Sequence, residues 1–173
     1  MPVDFMIRTH KSNPQINYVG TQDQGYQRSL ADGGGEMTYT QEISGDYAHI
    51  VSSDSGNTIW MVYPGFTMLI LNASTANAEI KSLDFNGSEP LWLPPTMADP
   101  LNPYTCYIAG GHQGTGGSRM LKIDYNGTGL EESELPKNFA TQNSGNISAM
   151  ASSPIDTKHT LSLIHISEPT RPY

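Results

Sequence analysis

The apolar residues of this chain fall in short runs rather than in stripes at helical spacing: "INYVGTQ", "YAHIVSS", "TIWMVYPG", "TMLILN", "AEIKSLDF", "CYIAGG", "RMLKIDY" and "ISAMASS". Turn signals bound them: single glycines, Asn-Gly, Asn-Pro and Pro-Pro. Runs of this kind between such breakers read as strands. Asn86-Gly87 and Asn126-Gly127 follow strand-like runs and suit tight turns between antiparallel neighbours. The single segment with a helical cast, Leu130 to Leu135 ("LEESEL"), is too short to matter as a helix. The expected fold class is all-β.

Spacing adds an architecture. "SNPQINYVGTQDQGYQRS" and "DPLNPYTCYIAGGHQGTGGSRMLKI" share one plan: a Pro turn, an apolar strand ending in Gly, a polar turn, then a second strand. Their prolines, Pro14 and Pro103, stand 89 residues apart, with "SSDSGNTIWMVYPG" between them and a further start at Pro154, 51 residues beyond Pro103. Units of about 45 to 50 residues with roughly four short strands each are the size of propeller blades. The expectation is therefore an incomplete β-propeller of about three to four blades of four-stranded antiparallel sheets, occupying residues 1–160. A blade buries its faces against its neighbours, so a partial ring leaves an apolar face and open strand edges at each end.

Composition narrows the partners. Only 15% of the 173 residues are charged and the net charge is -8, with no Lys/Arg cluster, which argues against nucleic acid. No apolar run is long enough to insert in a membrane, and the first residues, "MPVDFMIRTHKSNPQ", hold no apolar signal-peptide core. The single cysteine, Cys106, beside Tyr107 and Ile108, reads as a small buried hydrophobe.

The stretch "SNPQINYVGTQDQGYQRSLADGGG" resembles the blade openings of secreted sialidase-like and sortilin-like β-propellers, and residues 4–158 are similar to large exported propeller proteins of the Bacteroidetes group. Blades of that class carry an Asp-box, Ser-x-Asp-x-Gly-x-Thr-Trp; "SLADGGGEMTY" (Ser29 to Tyr39) and "SSDSGNTIW" (Ser52 to Trp60) resemble loosened versions of it. The resemblance implies that Asp32 and Asp54 hold hairpin turns through backbone N–H groups while Tyr39 and Trp60 pack as aromatic anchors. It also implies secretion or display at the outer cell surface, and a non-catalytic module, structural or binding a polysaccharide or surface protein. Its rival is part of a xyloglucanase-like or sialidase-like glycoside hydrolase whose remaining catalytic residues lie in missing blades.

Glycoside hydrolysis needs two carboxylates about 5–10 Å apart. Asp4, Asp23 and Asp46 are the acidic candidates, with Asp23 and Asp46 in polar turns; "GTQDQG" is similar to the catalytic Gly-x-Asp-Gly-Gly turn of xyloglucanase-like enzymes, one residue longer. Turn capping by Asp23 is the competing role. Arg8, Arg28 and Arg119 stand in different contexts, so a sialidase-like arginine triad is not expected. His10, His49 and His112 stand alone, against zinc, and no dense oxygen-ligand loop favours calcium at Asp54 or Asp124. No cofactor is expected. "GGHQGTGG" lacks the Lys-Ser/Thr of a phosphate loop. Tyr63, Phe66 and Trp92 offer sugar-stacking surfaces, unless they and Trp60 serve as core or turn anchors. The Asn-x-Ser/Thr triplets at Asn72, Asn86, Asn126 and Asn146 are glycan acceptors only in a eukaryotic secretory host.

The last segment is of another kind. "LSLIHISEPTR", Leu161 to Arg171, matches the translation of a common transposase sequencing adapter, so residues 161–173 read as non-biological. Removing them takes out Glu168 and Arg171 together and leaves the charge at -8. A chain with two uncovered end sheets is expected to self-associate in size-exclusion chromatography with light scattering. A monodisperse monomer that melts cooperatively would overturn the incomplete ring.

Overall fold

The computed structural model describes residues 5–30, 37–46, 49–85, 92, 94–111, 118–139, 147–153 and 160–164. Asp4, Asp32, Asn86, His112 and Asn146 lie outside these residues, as does most of the "GGHQGTGG" loop. Among the described residues every regular element is a strand.

Three four-stranded antiparallel sheets follow one another along the chain, each a meander with its strands in sequence order. The first holds β1 (Phe5–His10), β2 (Asn13–Thr21), β3 (Gly25–Ser29) and β4 (Thr40–Ile43). The second holds β5 (His49–Val51), β6 (Ile59–Tyr63), β7 (Phe66–Leu71) and β8 (Glu79–Asp84). The third holds β9 (Thr96–Ala98), β10 (Thr105–Gly111), β11 (Arg119–Tyr125) and β12 (Leu130–Glu134). β13 (Ile147–Ser152) pairs with β14 (Thr160–Ile164) in a two-stranded sheet, and four of the five β14 residues fall in the adapter-like segment 161–173, so that pairing carries no functional weight.

The segment with a helical cast corrects the sequence reading: Leu130–Glu134 is strand β12, paired from Tyr125↔Leu130 to Leu121↔Glu134. Its glutamates and serine tolerate an outer strand, and the ladder to β11 satisfies backbone groups that an isolated helical turn would leave unpaired. Asn126 and Gly127 do connect antiparallel neighbours, in a loop whose Asn126 Oδ1 accepts the N–H groups of Thr128 and Gly129.

The second sheet is buried on both faces, which explains its unbroken apolar runs. Side chains alternate across a strand, so Ile59, Met61, Met68 and Ile70 join Ile16, Tyr18 and Tyr26 in a core between the first and second sheets. Trp60, Val62 and Leu69 point the other way and join Cys106, Ile108, Leu121 and Ile123 between the second and third sheets. The opposite face of the third sheet is mixed, carrying Thr105, Tyr107, Lys122 and Asp124.

Hydrogen bonds tie each core to the adjoining turn. Tyr18 in β2 donates its hydroxyl to Gly56 O at 2.7 Å, in the turn between β5 and β6. Trp60 in β6 donates its indole N–H to Pro103 O at 2.8 Å, in the turn between β9 and β10. An aromatic on the second strand of one sheet thus reaches the first turn of the next, twice. Gly56 is required there, because its φ is +96° and a Cβ would lie 3.1 Å from the Tyr18 ring. Arg28 adds a third link: it is 7% exposed, pairs with Glu42 at 2.7 Å and donates to Ala73 O and Thr75 O.

Leu69→Ala opens a cavity between two sheets and is expected to cost about 2–5 kcal/mol in chemical denaturation. Ile80→Ala, at a position 41% exposed on β8, is expected to cost under about 0.5 kcal/mol.

Candidate functional site

The first strands of the sheets lie side by side: β1 against β5, β5 against β9, and β9 against β13. They surround an open cleft of about 400 Å³, within the range of small-ligand sites. Arg8 of β1, Ser52 and Ser53 just after β5, Thr96 of β9 and Ser152 of β13 supply its polar lining, and Val51, Met97, Ala98, Pro100, Met150 and Ala151 its apolar part. Arg8 is exposed. None of the described lining residues is a carboxylate.

The turns beside the cleft are held by side chains. Asp54 Oδ1 accepts the Thr58 N–H at 2.9 Å and the Ser52 hydroxyl at 3.0 Å, while Ser52 Oγ accepts the Gly56 N–H. This fixes the β5–β6 turn, with Ser55 at φ 67°. Trp60 stands in the layer between the second and third sheets, tied to Pro103, with no exposed surface. Tyr39 is exposed, its hydroxyl 3.9 Å from Met37 Sδ.

Two other turns repeat each other with the 89-residue offset seen in the sequence. His10 Nδ1 accepts the N–H groups of Ser12 and Asn13, and Asn13 Oδ1 accepts that of Gln15. Asp99 Oδ1 accepts the N–H groups of Leu101 and Asn102, and Asn102 Oδ1 accepts that of Tyr104. In both turns the proline carbonyl receives a side-chain donor, from Asn17 onto Pro14 and from Trp60 onto Pro103. His10 is therefore engaged in a turn rather than set in a group of ligands.

Asp23 and Asp46 come together, in a definite way: Asp46 Oδ1 accepts the Asp23 N–H at 2.8 Å. Asp23 sits at φ 65° in the β2–β3 turn, a backbone state that Asp tolerates better than most residues. Because β2–β3 turns lie at the opposite end of a meander from β1–β2 turns, this acidic pair is remote from the cleft end marked by Ser53. Tyr63 and Phe66 stack on each other with centroids 4.5 Å apart, and the Tyr63 hydroxyl donates to Ser44 O. The stack occupies one face of each ring, and both residues are half-buried against the core between the first and second sheets. Trp92 is 72% exposed. The three arginines do not form one cluster: Arg28 is buried against Glu42, Arg119 pairs with Glu134 at 3.0 Å, and Arg8 lines the cleft.

On the third sheet's mixed face, Asp124 takes the Thr105 hydroxyl on Oδ1 at 2.6 Å and the Lys122 ammonium on Oδ2 at 2.6 Å. Partial burial alone raises its pKa, but the donors from Lys122 and Thr105 outweigh it and hold the carboxyl below its ordinary value. Tyr107 donates to Asp99 Oδ2 at 3.0 Å, and burial followed by that bond pushes its phenol up to about 12. Burial likewise drives the Cys106 thiol upward, so it has no thiolate character. Among the described residues no three His, Cys, Asp or Glu side chains gather as a metal site.

In comparisons with known proteins, no family model and no curated sequence matches this chain. The sequence marks both turns through Pro14 and Pro103 but gives no sign of the capping acceptors His10 and Asp99 or of Tyr104. The 89-residue Asn-Pro spacing was the available signal for both turns.

The pH dependence of stability tests the Asp124 network. A carboxyl with a lowered folded pKa contributes stability that is complete above its unfolded value, near 3.8, and is lost as pH falls through the lower folded value. Asp124→Asn is expected to lower the denaturation midpoint at pH 7, with the gap to wild type closing as pH falls below the ordinary value of 3.8 and through the lowered folded value.

Proposed function

We propose that the three meanders are consecutive blades of a β-propeller and that the chain is a non-catalytic, exported module that binds glycan at the cell surface. The observation that carries this is the cleft bounded by four successive first strands, the place where blades converge in a propeller. Sheets that follow one another in chain order and pack face to face support the same architecture. Hydroxyls, one guanidinium and two thioethers suit recognition of a polyhydroxylated ligand. Binding is favoured over hydrolysis because no carboxylate is among the described cleft-lining residues and Asp46 caps the Asp23 backbone N–H. The remaining blades of the ring, and any carboxylate they bring to the cleft, belong to sequence beyond residues 1–160.

The alternative, one portion of a propeller glycoside hydrolase whose other catalytic residues lie in further blades, predicts a different outcome in the same experiment carried out on the complete ring. Affinity electrophoresis against soluble polysaccharides, run beside a reducing-end assay, is expected to show retardation without sugar release. Sugar release that disappears in Asp23→Asn would establish the hydrolase instead.

A further inference from the structure

The two repeated turns differ where the fold does not require them to. In the first sheet the two outward positions flanking Asn13-Pro14 are Ser12 and Gln15; in the third sheet the same positions around Asn102-Pro103 are Leu101 and Tyr104. Both turns are held by the same bonds from a side-chain acceptor and an asparagine. The turn itself therefore has no need of apolar side chains. Yet Leu101 is 70% exposed and Tyr104 45% exposed.

The third-sheet turn is firmly braced. Asn102 Nδ2 donates to Thr105 Oγ1, Thr105 N–H returns to Asn102 O, and Trp60 pins the Pro103 carbonyl from the second sheet. Tyr104 O accepts the Tyr125 N–H, and the two tyrosine rings stand 6.0 Å apart, tilted at 52°. A rigid turn that presents an aromatic ring has already met the ordering cost that binding usually incurs. Pro100, one residue before Leu101, lines the cleft, so the apolar turn continues directly from the cleft's rim.

We propose that Leu101 and Tyr104 form a stacking platform for a neutral polysaccharide chain that runs out of the cleft across the β9–β10 turn. This rests on the glycan-binding function proposed above and assigns it a contact surface. Two exposed apolar side chains are far too small for a protein interface, which needs about 800 Å² from each partner. They match the footprint of a sugar ring, whose C–H face packs on an aromatic while its hydroxyls remain in water. Exposed polar groups border the pair, with Asn126 and Thr128 following Tyr125 in the adjoining loop. The net charge of -8 disfavours sulfated or uronate-rich chains.

The test is isothermal titration of the full chain with cellohexaose, xylohexaose, mannohexaose and laminarihexaose. At least one is expected to bind, with Tyr104→Gln, which installs the first sheet's side chain on this turn, weakening it at least tenfold at unchanged melting temperature. Tyr104→Phe keeps the ring and is expected to stay within about threefold of wild type. If Tyr104→Gln fails to fold, Leu101→Ser carries the test, with at least a threefold loss expected. Binding by wild type that neither Tyr104→Gln nor Leu101→Ser changes would overturn the platform and leave glycan binding standing. No binding of any of the four probes by wild type would overturn the neutral-chain assignment, and retardation by other polysaccharides in affinity electrophoresis would then show whether glycan binding itself survives.

Discussion

The double burial of the second sheet is the constraint on which the rest of the structure depends. A sheet apolar on both faces is stable only between two covers, so Ile59, Met61, Met68 and Ile70 require the first sheet while Trp60, Val62 and Leu69 require the third. Hydrophobic burial has no direction of its own. Position is set instead by the bonds at the rim of each core, from Tyr18 to Gly56, Trp60 to Pro103 and Arg28 to Ala73 and Thr75. These fix how far one sheet slides and turns over the next, and so how closely the first strands approach around the cleft.

The connections do as much positional work as the strands. Asp54, His10 and Asp99 are three different side chains that all accept backbone N–H groups of a turn following a first strand. An acceptor there satisfies donors that would otherwise compete for the strand ladder. The acceptor is an aspartate in two of these turns and an imidazole in the third, so the turn does not depend on one kind of side chain. The outward positions of those turns are then free to vary, which is where Leu101 and Tyr104 differ from Ser12 and Gln15.

Much of the all-β character was legible from local signals: short apolar runs, glycine and asparagine turns, and the 89-residue echo of Asn-Pro. The misread element, Leu130–Glu134, shows the limit of that method. Its composition favours a helix, and only pairing with β11 makes it a strand. The site was less legible for a related reason. Asp23 and Asp46 looked like candidate acids because isolated turn carboxylates stand out in sequence, while the bond that occupies Asp46 spans 23 residues. Tyr63 and Phe66 looked like open rings, and their mutual stacking is a property of the hairpin register, Tyr63↔Phe66. The grouping of Arg8 with Ser52, Thr96 and Ser152 comes from four separate strands or their ends and has no local signature at all.

The two aromatic ties from second strands point the same way along the chain. Tyr18 finds its acceptor 38 residues later and Trp60 finds its own 43 residues later, each in the opening turn of the following sheet. A nascent chain would thus carry at its leading edge one aromatic side chain still waiting for a carbonyl that has not been made. Each opening turn therefore has two sheets to seat, its own and the one before it. A defect in an opening turn would accordingly loosen the preceding sheet's core as well as its own hairpin.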